Sequence, residues 1–160
     1  MKIGAEKHLC AKLYVASRLI VQAYGDYLSP LALTYPKYLV LLALDEKNDQ
    51  TVGQLGEVLS LDSGTLSPLL QSLARQGYLK RKRRTFDERI VGNFITPLGR
   101  KACSEARKIA FQLFEKTGLS IEEWQNACST VDDLVERCKN ILNPDFSIKN
   151  QKLKKRKLYA

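Results

Sequence analysis

Between Leu61 and Ile95 the chain changes its period, and that change narrows the possible folds more than any other feature. From Asp62 to Arg75 apolar residues recur at helical spacing, with Leu66, Leu69, Leu70 and Leu73 as the inward set. Asp62 or Ser63 offers an N-cap oxygen, and Gly77 offers a left-handed stop. Pro68 removes one backbone donor, so a bend or an irregular start is expected in this helix. Directly afterwards, residues 78–82 and 90–95 read as short extended segments. The basic run 83–89 would join them as a long hairpin loop.

The flanking segments are helical. Residues 6–27 carry Leu9, Leu13, Ala16, Ile20 and Ala23 at spacings of three and four. Residues 34–46 follow, with Thr34 as N-cap and Pro36 in the first turn. Thr51-Val52-Gly53-Gln54 is a capping-box pattern that opens a short helix to about Ser60. Thr96-Pro97 caps a helix running to about Lys116, which Gly118 ends. Ser120-Ile121-Glu122-Glu123 opens a last helix to about Leu142. Helix, short turn, helix and basic hairpin is the order of a winged helix-turn-helix. The expected class is therefore mainly α with a small β-hairpin wing (α+β). Residues 1–142 form one domain: the winged helix-turn-helix spans about 34–96, with dimerisation helices at about 6–27 and 97–142. Residues 143–160 form a basic tail.

Charge agrees with that order. The formal net charge is +9, and it is concentrated in Arg75–Arg89 and Pro144–Ala160, leaving the rest of the chain near neutral. Two basic patches on a neutral body point to a polyanion, most simply double-stranded DNA. Ser63, Thr65, Ser67, Gln71 and Arg75 are the candidate DNA-reading side chains of the second short helix. Arg81, Lys82, Arg83, Arg84 and Arg89 are those of the wing. Asp87 and Glu88, acids inside a basic loop, read as structural braces. The apolar runs are far shorter than a membrane span. The N-terminus lacks a long apolar block, and the four cysteines do not form a disulfide ladder, so a reducing cytoplasm is expected. With no CxxC and His8 as the lone histidine, neither a metal site nor a cofactor is expected.

Cys10 stands apart from Cys103, Cys128 and Cys138 because tyrosines accompany it: Tyr14 one turn on, Tyr24 fourteen residues on, and Tyr35 just beyond. It should lie near the start of its helix, where the positive end of the dipole favours an anionic sulfur and attack on a peroxide. At about 100° per residue, Tyr24 returns to within roughly 40° of the Cys10 face, but about 21 Å along the axis. Within one straight helix the two cannot meet. Two antiparallel copies bring them together, which predicts a twofold homodimer with shared sites.

The chain resembles the MarR family of winged helix-turn-helix regulators, and within it the OhrR branch of organic-hydroperoxide sensors. The matching segments are Leu9-Cys10, Leu13-Tyr14, Ala16-Ser17-Arg18, Leu33-Thr34-Tyr35-Pro36-Lys37-Tyr38, Leu61 to Leu70, and Asp87-Glu88-Arg89, over residues 9 to about 106. The resemblance implies that Tyr24 and Tyr35 of one chain hydrogen-bond Cys10 of the other, with Tyr14 as a pocket wall. It also implies that Asp62 pairs with Arg89, that Arg89 enters the minor groove, and that Asp87 braces the wing through Arg81. It implies a repressor of a pseudo-palindromic operator, with an organic hydroperoxide as effector. Cys103, Cys128 and Cys138 themselves read most simply as buried helical hydrophobes, in which case a small-molecule thiol caps oxidised Cys10; otherwise Cys103 or Cys128 would resolve it. Three other readings stay open: a repressor released by a phenolic ligand with Cys10 incidental, a thiol peroxidase using Cys10, and a structural partner-binding module.

Overall fold

The computed structural model describes residues 8–84 and 87–142, and the side chains of all of these except 84 and 87–89. Among the described residues six helices and one hairpin follow in the order α1 (Leu9–Leu28), α2 (Tyr35–Glu46), α3 (Val52–Leu59), α4 (Ser63–Arg75), β1 (Leu79–Arg84), β2 (Asp87–Ile95), α5 (Pro97–Thr117) and α6 (Ile121–Leu142), with a 3-10 turn at Ser29–Leu31 after α1. The chain divides after Lys116 into two compact units. This is the winged-helix architecture expected: mainly helical, with a two-stranded antiparallel wing. Among the described residues no single helix is long and apolar enough to cross a membrane.

Local chemistry sets the boundaries. The Thr51 hydroxyl accepts from Gln54 N while the Gln54 amide accepts from Thr51 N, so the capping box closes in both directions. Asp62, not Ser63, caps α4 by accepting from Thr65 N at 2.9 Å. Gly77 (φ 77°) and Gly118 (φ 72°) take the left-handed stops that end α4 and α5. Ser120 and Glu123 form a second reciprocal box. Thr34 occupies the N-cap of α2, but its side chain makes no capping bond; Pro at the first positions of the helix has no N–H to offer. The helix α4 runs unbroken past Pro68, and the Ser67 hydroxyl beside it donates to Ser63 O at 2.7 Å.

The wing departs from expectation. β1 continues to Arg84 and β2 begins at Asp87, so the basic residues lie on paired strands and not in a long loop. Lysine and arginine are weak strand formers in isolation. Here cross-strand pairing from Leu79↔Ile95 to Arg83↔Val91 overrides that preference.

The core of the first unit gathers Val40, Leu41 and Leu44 of α2, Leu55 of α3, Leu66, Leu70 and Leu73 of α4, Leu79 and Ile95 of the hairpin, and Ala102, Cys103 and Ala106 of α5. Leu69, expected inward, is only partly buried. The base of β2 is stitched to the turn after α2. Gln50 and Asn93 form an isolated bridge, the Asn93 amide donates to Gln50 O at 2.8 Å, and the Gln50 amide donates to Ala43 O and Lys47 O, satisfying carbonyls at the end of α2. Asp45 ties α2 to α5 through Arg100 and Arg107, each at 2.8 Å.

Candidate nucleic-acid interface and thiol site

The helix α4 buries Leu66, Leu70 and Leu73 and leaves Ser63, Thr65, Gln71 and Arg75 exposed, with Ser67 partly so. Two of these hydroxyls are already engaged. Thr65 donates to Asp62 Oδ2 at 2.8 Å, and Ser67 donates to Ser63 O. Both therefore meet a base edge or amino group as acceptors, which leaves Ser63, Gln71 and Arg75 as the free donors of the set. The two Thr65 hydrogen bonds hold the Asp62 carboxyl below its ordinary range. Asp62 thus works as an N-cap. Its expected pairing with Arg89 lies outside the described side chains, as do Arg84, Asp87 and Glu88 and the bracing role of Asp87.

Arg81, Lys82 and Arg83 are exposed on β1, and so is Lys80, which the sequence reading passed over. Alternation along a strand sends Lys80 and Lys82 to one face and Arg81 and Arg83 to the other. The wing therefore presents cations on both faces, suited to phosphates along a groove. Like charges two residues apart repel, and a polyanion relieves that repulsion.

The tyrosines sort into two groups. Tyr24 of α1 and Tyr35 of α2 meet with ring centroids 5.0 Å apart, and Tyr38 joins them at 5.9 and 6.2 Å. Tyr38 was missed as a pocket member; its position three residues after Tyr35 puts both on one side of α2. Tyr14 is exposed and lies instead against Arg18, whose guanidinium is 5.8 Å from its ring centroid. Burial pushes the Tyr24 and Tyr35 phenols up, with Tyr35 adding to the shift at Tyr24. The Tyr38 phenol is pushed up to about 12, by burial first and by Tyr24 and Cys103 next. These folded phenols hold their protons to higher pH than the unfolded chain does. Stability should thus be intact below pH 10 and fall as pH rises towards 12, with Tyr38 alone accounting for about 2 kcal/mol. Urea midpoints across that window test this: Tyr38→Phe should flatten the fall, and an unchanged slope would exclude Tyr38 as its source.

Cys10 is the second residue of α1 and is exposed. The helix α1 continues without a break to Leu28, so Tyr24 of the same chain stays more than a dozen residues along the axis. Leu9, Val15, Leu19 and Ile20 are exposed as well, and Leu28 is the buried residue of this helix. Of the stripe read from the sequence, Leu9, Ala16, Ile20 and Ala23 are exposed and Leu13 is partly so, which leaves it outside the core. Of the two candidate resolving thiols, Cys103 is fully buried beneath α2, and its thiol is pushed up by burial, partly offset by Arg107. Cys128 on α6 is exposed, as is Cys138.

A model of the SarA/Rot transcriptional regulators matches residues 22–105. The chain belongs to that family. It is 36% identical over 140 residues to the HTH-type transcriptional regulator SarZ of Staphylococcus epidermidis, covering 88% of this chain and 90% of the relative. SarZ of Staphylococcus aureus is 32% identical over 146 residues, covering 91% and 94%. Reduced AbfR bound to DNA superposes with a TM-score of 0.72 at 31% identity, covering 84% of this chain and 92% of that one. AbfR has also been solved overoxidised on DNA (TM-score 0.68) and in a disulfide-formed state (TM-score 0.58). A MarR protein of Peptoclostridium difficile, at 18% identity and a TM-score of 0.78, shares the fold. The protein is thus a winged-helix transcriptional regulator of the SarA/Rot family with MarR-like neighbours.

Proposed function

We propose that the protein is a homodimeric, redox-sensing DNA-binding repressor of the OhrR type, with Cys10 as the sensor. The observation that carries this reading is the pairing of an exposed Cys10 at the start of α1 with a Tyr24–Tyr35 pair that its own helix keeps out of reach. The exposed apolar stripe of α1 supplies the surface for a second copy. On α6, Ile121, Trp124, Val131, Val135 and Leu142 repeat at the same helical spacing. In the dimer each Cys10 faces the partner's tyrosines, and residues 1–142 act as one domain.

Cys10 sulfur attacks the outer oxygen of an organic hydroperoxide, giving the sulfenic acid and an alcohol. A second thiol then displaces water to form a disulfide. AbfR is known on DNA both reduced and overoxidised, and separately as a disulfide. By that analogy we assign release to the disulfide step and not to the addition of oxygen. An exposed Cys128 or a small-molecule thiol suits that step better than the buried Cys103. Cys10 is spent once per event, so the role is a sensor's and not an enzyme's; repeated turnover of hydroperoxide with a reductant would revive a peroxidase. Cys10→Ser should keep reduced DNA affinity and lose hydroperoxide-induced release. Release that persists in this variant would favour a phenolic-ligand repressor instead.

A further inference from the structure

The three residues that link α4 to the wing are gripped from two sides. Gln76 Nε2 donates to Ala32 O at 3.0 Å, and Gln76 Oε1 accepts from Lys37 Nζ at a long 3.5 Å. The Tyr78 hydroxyl donates to Leu31 O at 2.7 Å. From the other side the Thr96 hydroxyl donates to Gly77 O at 2.7 Å, and Thr96 N donates to Tyr78 O at 3.0 Å. The Leu31 and Ala32 carbonyls belong to the turn between α1 and α2. There Ala32 is held at φ 51°, a region a residue with a Cβ enters only when its surroundings insist. Tyr24 precedes that turn, and Tyr35 and Tyr38 follow it directly.

We propose that Gln76 and Tyr78 are positioning residues, a clasp through which the arrangement of Tyr24, Tyr35 and Tyr38 sets the aim of α4 and the wing on DNA. The inference goes beyond the thiol reading, because the clasp passes on any change at the tyrosines whatever causes it. Leverage makes the clasp effective. With its 13 residues α4 is about 20 Å long, so a tilt of about 5° at its C-terminal end moves Ser63 and Thr65 by about 1.5 Å. That displacement exceeds the tolerance of a hydrogen bond to a base edge.

A double-mutant cycle on the full chain, without oxidant, tests it. The probes are a duplex enriched from a random library by the wild-type protein and a scrambled duplex of the same composition. Tyr78→Phe and Gln76→Ala are each combined with Tyr35→Ala, and with the milder Tyr24→Phe in case Tyr35→Ala unfolds the chain. Each clasp variant should lose about fivefold in affinity for the selected duplex and little for the scrambled one. Each combination should depart from the product of its single effects by about threefold or more. Equal losses on both duplexes, or combined effects within about 1.5-fold of the product, would overturn the clasp. No cysteine is changed, so this outcome is separate from that of Cys10→Ser.

Discussion

Replacing Arg81, Lys82 and Arg83 together with alanine should lower DNA affinity by about 100-fold near 0.1 M salt and leave the fold intact. Each phosphate a cation neutralises releases condensed counterions and contributes about 0.9 to the slope of log affinity against log salt. Three lost contacts should therefore flatten the slope by roughly 2 to 3 per wing engaged. All three side chains are exposed, and β1 is held to β2 through backbone pairing that alanine keeps, so the unfolding midpoint should hardly move. Fluorescence anisotropy with a labelled duplex at several salt concentrations measures both quantities. An unchanged slope would mean that the wing does not touch the phosphate backbone.

Gly99→Ala should destabilise the protein by about 3 kcal/mol, far more than its position near the start of a helix suggests. A Cβ built at Gly99 collides with the Tyr78 carbonyl oxygen and lies 2.8 Å from Ile95 Cγ1. The obstacle at Tyr78 is backbone, and it is pinned because that carbonyl accepts from Thr96 N. The helix cannot give way either, since Gly99 N donates to the Thr96 hydroxyl that caps it at 3.1 Å. Urea unfolding gives the comparison, and a loss below about 1 kcal/mol would show that α5 can shift away from the wing. Because Tyr78 is half of the proposed clasp, the displacement should also cost DNA affinity in molecules that remain folded.

Local signals made most of the architecture legible. The Thr51–Gln54 and Ser120–Glu123 boxes, the Asp62 cap and the two glycine stops are decided within a few residues, and each lies where the sequence places it. The full length of the wing strands is not legible, because the strand character of Arg83 and Arg84 comes from a partner strand and not from their own preference. The contacts between Gln50 and Asn93, and between Tyr78 and Leu31, join residues more than forty positions apart, and single polar residues at that distance leave no periodic trace. At the thiol site, Cys10, Tyr24 and Tyr35 could be singled out from spacing and resemblance. Tyr38 could not, because a tyrosine in an apolar run reads as core, and its burial bears that character out. A helical cysteine outside any motif reads most simply as a small buried hydrophobe, which holds for Cys103 and fails for the exposed Cys128 and Cys138.

The most direct measurement of the central claim follows DNA release and cysteine chemistry in the same sample. The reduced protein on a labelled duplex is titrated with cumene hydroperoxide from substoichiometric amounts upward. At each point anisotropy reports bound DNA, and peptide mass mapping reports the state of Cys10, Cys103, Cys128 and Cys138. The account predicts that release rises in proportion to Cys10 in disulfide linkage while Cys103 stays unmodified. DNA lost while Cys10 remains a free thiol, or DNA fully retained once Cys10 has become a disulfide, would contradict it.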